Sequence, residues 1–227
     1  MIRAILLDIE GTTTPIAFVH EVLFSYAREH AKEFLASNVD ADDVALLREE
    51  HAADVSNGEQ PPAEMAAYVE WLIARDRKST GLKSLQGKIW RQGYTDGSLK
   101  SQVYADVAPA FVRWRAQGLS INIFSSGSVL AQQLLFAHTD AGDLTKFIDQ
   151  YFDTNIGRKG EAASYRRIAE ALNLRAEEVL FISDVVSELD AANKAGMQTL
   201  LSIRPGNPPQ EAAEKYRAIH NFENLEP

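Results

Sequence analysis

The chain contains short runs of continuous apolar residues, rich in Ile, Leu, Val and Phe, separated by longer segments with helical periodicity. Four of these runs cover residues 4–7, 121–124, 179–183 and 199–203, and weaker candidates cover residues 151–153 and 218–221. Continuous apolar runs of this length are typical of strands that are buried on both faces, as in a parallel sheet. The pattern therefore predicts at least four buried strands.

Segments between the later runs have the spacing of amphipathic helices. Residues 161–174, EAASYRRIAEALNL, repeat apolar positions every three or four residues, and residues 187–196, SELDAANKAG, end on a glycine that favours a helix C-cap. Strands that alternate with helices indicate an α/β fold. We expect a Rossmann-like parallel sheet core that is flanked by helices.

This alternation is interrupted after the first strand. From about Phe18 to Leu99 the chain has helical patterns, such as HEVLFSYAREHAKEFLAS at residues 20–37, and no strand pattern of comparable strength. The sequence therefore predicts a helical cap inserted after the first strand. The expected domains are an α/β catalytic core, residues 1–16 and 100–227, and the cap, residues 17–99.

Composition narrows the possible partners. The net charge of −9 and the lack of a basic run argue against binding to nucleic acid or to an anionic membrane surface, so a small molecule is the expected partner. The chain has no cysteine, which excludes disulfides and thiolate metal sites. An acidic residue comes too early for a secretory signal, and no apolar run reaches the roughly 18 residues of a membrane span. We expect a cytoplasmic monomer.

Polar residues follow each of the predicted strands at the same end. Asp8 and Glu10 follow the first strand, Ser125 and Ser126 follow the second, Lys159 opens the helix after the third, and Asp184 follows the fourth. Ligands of open α/β sheets bind in the crevice at the carboxyl ends of the strands. These separate segments therefore predict one shared site.

The predicted site combines carboxylates, hydroxyls and a lysine. Mg²⁺ commonly binds one or two carboxylates together with waters and a phosphate oxygen, which suits Asp8 and Asp184. A bound cation also relieves the repulsion between neighbouring acids and keeps Asp8 ionised, so that it can accept a phosphoryl group as a nucleophile. These residues predict a phosphoryl-transfer site.

The remaining residues have matching roles in such a reaction. Ser126 and the backbone N–H groups of SSGS can hold phosphoryl oxygens at a helix start. Lys159 places a positive charge where negative charge develops during the transfer. Glu10 is placed to protonate the leaving oxygen and then to deprotonate the attacking water.

Plainer structural roles compete with these assignments. Ser125 and Ser126 could instead cap the helix near Val129, and Asp184 could cap the helix that follows it. Lys159 on its own has the pattern of an exposed surface lysine. These alternatives stay open at the level of single residues.

Four motifs resemble those of the haloacid dehalogenase-like superfamily of phosphohydrolases, and they occur in that family's order: DIEGT, FSSGS, GRKGE and ISDVVSELD. The resemblance implies one Mg²⁺ ion per chain, held by Asp8, Glu10 and Asp184. It also implies that Asp8, Glu10 and Lys159 are catalytic. Glu188 and Asp190 are expected to lie behind the metal ligands or on a helix surface, and Glu188 is the better candidate of the two to contact a metal-bound water. Most family members have an aspartate where this chain has Glu10.

Longer strings narrow this resemblance: DIEGTTTP, LQGKIWRQGY, FDTNIG and FISDVVSELDAA are similar to the acireductone synthase family, the bifunctional enolase-phosphatases of methionine salvage. This implies the diketo substrate 2,3-diketo-5-methylthiopentyl-1-phosphate, with Ser125, Ser126, Lys159 and Lys88 of the cap as substrate contacts. The base that enolises it is either Glu10 or a cap residue. A related phosphatase of another small phosphorylated metabolite and a non-catalytic binding module are the alternatives.

Overall fold

The computed structural model describes residues 1–37, 41–75, 77 and 79–227. In this part of the chain, a single six-stranded sheet has the order β3-β2-β1-β4-β5-β6 and every pairing is parallel. Its strands are β1 (Ala4–Leu7), β2 (Ser120–Phe124), β3 (Gln150–Phe152), β4 (Val179–Ser183), β5 (Gln198–Ser202) and β6 (Ala218–Ile219). The predicted α/β class with a parallel sheet is confirmed.

Helices occupy the segments where the sequence shows helical periodicity. They are α1 (Phe24–Ser37), α2 (Ala41–Ser56), α3 (Met65–Ala74), α4 (Thr80–Asp96), α5 (Val107–Ala116), α6 (Val129–Ala137), α7 (Ala162–Ala171) and α8 (Val186–Lys194). A short π-helical segment, Phe18–Leu23, precedes α1. Within the described ranges, no helix combines the length and the apolar character needed to cross a membrane.

The central strands follow directly from the apolar runs. All residues of β1 and β4 are buried, as expected for strands with helices on both sides of the sheet. The outermost strands, β3 and β6, are shorter. The strand β5 spans residues 198–202 rather than the predicted 199–203, because Ile203 lies beyond the last paired position and has 39% of its surface exposed.

The strand order reverses at the centre of the sheet. The chain runs from β1 through β2 to β3 on one side, and then returns to place β4 on the other side of β1. The register aligns Leu7 with Ile123 of β2 and with Ile182 of β4. Residues that follow these positions therefore meet at the switch point, where open α/β sheets bind their ligands.

An aromatic cluster supports this end of the sheet. Phe124, Tyr165 and Phe181 are fully buried, with the Tyr165 ring centroid 5.6 Å from Phe124 and 5.0 Å from Phe181. Burial of a side chain of this size contributes about 2 kcal/mol. The end of β2 and the middle of β4 are thereby packed against α7.

By its internal packing the chain divides into two compact units. One comprises Met1–Val19 and Lys100–Pro227, and the other comprises His20–Leu99. The second unit has its own apolar core, which includes Leu47, Tyr68, Leu72, Leu82 and Leu85. The assignment of residues 17–99 as a cap stays a prediction, and residues 38–40, 76 and 78 of that range lie outside the described residues.

Candidate active site

Asp8 is the first residue after β1, and its carboxylate is held at the switch point. Its backbone N–H donates to the carbonyl of Ile182 at 3.0 Å, which extends the pairing of β1 with β4 by one residue. Oδ1 accepts a hydrogen bond from the N–H of Ile9 at 2.8 Å. With only 5% of its surface exposed, Asp8 is a fixed and largely desolvated carboxylate.

Lys159 supplies the positive charge that the acidic motif after β1 requires. Its Nζ lies 2.6 Å from Asp8 Oδ1 and 2.7 Å from Glu188 Oε2, and its side chain is 10% exposed. Burial lowers the pKa of Lys159, but the charges of Asp8 and Glu188 outweigh burial and leave that pKa above its usual range. Lys159 is therefore a charged residue of the site, and the surface alternative is wrong.

The position of Lys159 along the chain differs from the prediction. It was expected to open a helix, but α7 begins at Ala162 and Lys159 lies in the preceding loop. Ser164 holds that loop by donating its hydroxyl to the carbonyl of Arg158 at 2.7 Å. Gly157, at φ +138°, adopts a conformation that side-chain-bearing residues rarely reach. The turn therefore delays the helix start and directs Lys159 toward Asp8.

Ser183 links two of the acids, a role that no pattern in the sequence predicts. Its Oγ lies 3.2 Å from Asp8 Oδ2 and 2.9 Å from Glu188 Oε2, and it accepts a hydrogen bond from the N–H of Val185 at 3.1 Å. Ser183 is completely buried at the end of β4. Its hydroxyl proton is therefore available to the nucleophile candidate Asp8 or to Glu188.

Asp184 and Glu188 are buried acids whose ionisation is disfavoured. The pKa of Asp184 is raised to about 7, first by burial and then by the charges of Asp8 and Glu188, and Lys159 opposes this shift. Burial, followed by the charge of Asp8, likewise raises the pKa of Glu188 to about 7. Three acids thus lie near one ammonium, and an additional cation would favour the ionised forms of Asp184 and Glu188.

Asp184 does not cap the helix that follows it. The N-cap of α8 is Val185, which makes no side-chain cap hydrogen bond. The Asp184 carboxylate instead lies against Gly11, where a Cβ would approach its Cγ to 2.7 Å. Gly11 has φ +67°, so both its conformation and its contacts require glycine. The loops after β1 and β4 therefore meet at this residue.

Oxygen atoms make up the acidic part of the site, and this donor set suits a hard divalent cation. Among the residues that the structure describes, no three His, Cys, Asp or Glu side chains form a metal-ligand cluster. Mg²⁺ needs no such cluster, because one or two carboxylates, waters and a substrate phosphate complete its shell. Such an ion would relieve the repulsion between Asp8 and Asp184.

The loop after β2 contains the two predicted serines, and Ser128 rather than either of them caps α6. Ser128 Oγ accepts from the N–H of Ala131 at 3.3 Å, so the capping alternative for Ser125 and Ser126 is wrong. Ser125 is buried, and its Oγ accepts from the N–H of Gly127 at 3.1 Å. This tight turn places Ser126 just past the end of β2, and its contact with a phosphoryl group stays a prediction.

The threonines after Glu10 stabilise the loop that carries it. Thr13 Oγ1 lies 3.2 Å from the carbonyl oxygens of both Asp8 and Ile9, and Glu10 pairs with Thr14 in a backbone bridge. Glu10 itself is half-buried, two residues beyond Asp8. Its acid/base role stays a prediction.

Asp190 and Trp90 have structural roles, and Lys88 lies in the helical unit. Asp190 accepts a hydrogen bond from the Tyr216 hydroxyl at 2.6 Å. In the helical unit, Trp90 is buried and donates its indole N–H to the carbonyl of Leu23 at 2.8 Å, which makes it a core residue. Lys88 lies on α4 and is half-buried, and its contact with substrate stays a prediction.

Comparisons with known proteins agree with this arrangement. Residues 2–196 match the family described as haloacid dehalogenase-like hydrolase. The chain is 53% identical to the enolase-phosphatase E1 of Synechococcus elongatus, over 99% of this chain and 98% of that protein. It is 48% identical to the enolase-phosphatase E1 of Sorangium cellulosum, over 99% and 97% of the two chains. The crystal structure of the UTR4 protein of Saccharomyces cerevisiae superposes with a TM-score of 0.82 at 38% identity, covering 99% of this chain and all of that one.

Proposed function

Because the chain belongs to the haloacid dehalogenase-like hydrolases and, within them, to the enolase-phosphatase E1 family, we propose that it enolises and then dephosphorylates a small phosphorylated diketone. The sequence resemblance implies 2,3-diketo-5-methylthiopentyl-1-phosphate as the substrate. The products are the acireductone 1,2-dihydroxy-3-keto-5-methylthiopentene and phosphate, in methionine salvage.

One observation carries the phosphatase half of this proposal. Asp8, Lys159 and Asp184 come from three separate loops, and all lie at the carboxyl end of the sheet where the strand order reverses. The ammonium of Lys159 lies 2.6 Å from Asp8 Oδ1, so a positive charge stands directly beside the proposed nucleophile.

In the proposed reaction a carboxylate oxygen of Asp8 attacks phosphorus. The bond between phosphorus and the ester oxygen breaks, and Glu10 gives that oxygen its proton. Glu10 then takes a proton from a water molecule, whose oxygen attacks the aspartyl-phosphate, releases phosphate and regenerates Asp8. Lys159, Ser125 and Ser126 hold the phosphoryl oxygens throughout.

We propose that one Mg²⁺ per chain is held by Asp8, Glu10 and Asp184. When bound, the ion neutralises phosphate charge and polarises an oxygen of the substrate. Treatment with a chelator should abolish turnover, and added Mg²⁺ should restore it. Full activity after exhaustive chelation would remove the metal from this scheme.

Enolisation removes a proton from the carbon next to a carbonyl. We propose Glu10 or a residue of the helical unit as the base, and Lys88 as a contact for the anionic substrate. Lys88→Met should then raise KM for the substrate more than it lowers kcat. We further propose that the chain acts as a cytoplasmic monomer.

The test is a comparison of substrates in two simultaneous assays: released phosphate, and the ultraviolet absorbance of the conjugated enol. We expect the diketo phosphate to be turned over far faster than phosphoglycolate or sugar phosphates. Equal rates on all of them would identify a phosphatase of broader range. Absence of turnover on every compound would favour a binding module.

Substitution of the nucleophile provides the matched test. Asp8→Asn should abolish phosphate release without unfolding the protein. The exposed Asp140 provides the control, and Asp140→Asn should keep full activity. Undiminished phosphate release by Asp8→Asn would refute the aspartyl-phosphate.

A further inference from the structure

Asn207, in the loop after β5, binds the same loop that carries Asp8 and Glu10. Its Nδ2 donates to the carbonyl of Gly11 at 2.9 Å and lies 3.3 Å from the carbonyl of Ser202. Both neighbours are acceptors, so the NH₂ group must face them. This fixes the orientation of the amide and leaves Oδ1 on the opposite side.

Oδ1 of Asn207 is buried and has no hydrogen-bond partner. A Cβ built on Gly11 would lie 2.9 Å from this oxygen and would also collide with the Asp184 carboxylate, so both oxygens flank the same side of Gly11. An amide oxygen cannot donate a hydrogen bond, and the Asp184 carboxylate cannot donate one either once a bound cation has ionised it. This arrangement requires a donor or a cation beside the two oxygens.

Further unpartnered polar atoms occur along the same loop. The hydroxyl oxygens of Thr12, Thr14 and Tyr104 are buried and have no hydrogen-bond partner. The backbone N–H of Tyr104 binds the carbonyl of Thr13 at 3.0 Å, so Tyr104 lies directly against this loop. Several unsatisfied polar atoms around one loop indicate a place for water or an ion.

We propose that Asn207 is a further residue of the Mg²⁺ site, where Oδ1 accepts a hydrogen bond from the ion's hydration shell beside Asp184 and Nδ2 holds Gly11 in place. This inference rests on the proposed metal-dependent function. Asn207 lies beyond residues 2–196, the part of the chain that matches the hydrolase family, so the family match does not assign this role.

Direct binding of Mg²⁺ to the substrate-free protein tests the proposal without reference to activity. In a calorimetric titration, Asn207→Ala should weaken Mg²⁺ binding by about 10-fold or more, the usual effect of removing a group that orients a metal's ligands or waters. Asn207→Asp retains an oxygen beside Asp184 but loses the Nδ2 donor to Gly11, so it should bind Mg²⁺ more tightly than Asn207→Ala.

Ser202 offers a matched control. Its Oγ donates to the same Gly11 carbonyl at 3.1 Å, so Ser202→Ala removes an anchor of Gly11 and leaves the Asn207 oxygen in place. We expect its Mg²⁺ affinity to stay within about twofold of the wild type. Thermal unfolding of each variant establishes that it is folded.

The outcomes separate this inference from the proposed function. Wild-type binding of Mg²⁺ together with unchanged affinity in Asn207→Ala would overturn the role of Asn207 alone. Equal weakening in Asn207→Ala and Ser202→Ala would also overturn it, because the anchoring of Gly11 would then be the cause. Failure of the wild type to bind Mg²⁺ would remove the metal from the proposed function as well.

Discussion

Replacement of Arg204 with Met should destabilise the unit that contains the sheet by several kcal/mol. The Arg204 guanidinium binds both carboxylate oxygens of Asp106, at 3.0 and 2.8 Å, and donates to the carbonyls of Thr12 and His220, each at 3.1 Å. It therefore joins the loop after β1 to the segment before α5 and to the C-terminal segment.

The magnitude follows from the burial of this ion pair. The side chains of Arg204 and Asp106 are 3% and 9% exposed, so loss of the guanidinium leaves a buried carboxylate whose remaining hydrogen bond comes from the N–H of Phe222. Removal of one partner of such a pair costs about 3–5 kcal/mol. Arg204→Lys keeps the charge but loses the bidentate geometry, and should cost roughly half as much.

The guanidinium also lies between two aromatic rings. Its Cζ is 4.5 Å from the ring centroids of both Tyr104 and Phe222. Each contact contributes about 0.5–2 kcal/mol, and neither survives in Arg204→Met. The upper half of the 3–5 kcal/mol range is therefore the expectation for that variant.

Urea unfolding followed by tryptophan fluorescence measures this cost. Trp114 packs against Phe222 with ring centroids 5.2 Å apart, and it is the only tryptophan left when Trp71 and Trp90 are replaced by Phe. In that background the signal reports on the unit that contains Arg204. The exposed Arg217 provides the control, since Arg217→Met removes the same charge from the surface.

A double-mutant cycle gives the decisive comparison. Asp106→Asn should also be destabilising alone, and the cost of the double variant should fall short of the sum of the single costs by about 1.5 kcal/mol or more. The reasoning would be refuted if Arg204→Met unfolded within 1 kcal/mol of Arg217→Met, or if the two single costs were additive.

Three further predictions concern single residues. Gly11→Ala should lower the free energy of unfolding by about 1–2 kcal/mol because of the left-handed backbone, and it should abolish turnover because the new methyl group displaces the Asp184 carboxylate. The control is Gly118→Ala, which has φ +78° and open space around it, and which should show only the backbone cost in urea unfolding. Ser183→Ala removes a hydrogen bond to the Asp8 carboxylate, which is worth about 1.5 kcal/mol, so kcat should fall about tenfold. An unchanged kcat would contradict a role for Ser183 in orienting Asp8. Burial, together with the hydrogen bond to Asp190, raises the pKa of Tyr216 from about 10 in the unfolded chain to about 12 in the folded protein. The contribution of Tyr216 to stability is therefore complete below pH 10 and is lost between pH 10 and 12. The urea midpoint should therefore fall more from pH 9 to pH 11 in the wild type than in Tyr216→Phe, and equal falls would refute this.

Strand positions and most of the site were accessible from the sequence because they depend on local patterns. The apolar runs of β1 and β4 are long enough to be recognised, and the polar residues directly after them must share one edge of a parallel sheet. Asp8 and Asp184 follow β1 and β4 directly, and the loops that carry them meet at Gly11, while their catalytic and metal-binding roles stay predictions.

Contacts that depend on side-chain geometry across distant loops were not accessible in this way. Ser183 binds an acid 175 positions away in sequence, and nothing in its own neighbourhood distinguishes it from an ordinary strand-end serine. Asn207 has the appearance of a turn residue beside Pro and Gly, and only the position of Gly11 shows that its amide faces the loop after β1. Helical periodicity around Lys159 does not reveal where α7 begins, because the turn at Gly157, with φ +138°, depends on backbone geometry that the pattern does not encode.

The most direct measurement of the central claim is a crystal structure of the protein with Mg²⁺ and a phosphoryl mimic such as vanadate. We expect the mimic to be bonded to a carboxylate oxygen of Asp8, with Lys159 and Ser126 within hydrogen-bond distance and the ion between Asp8 and Asp184. A mimic bound away from Asp8, or an ion without contact to either aspartate, would contradict the account.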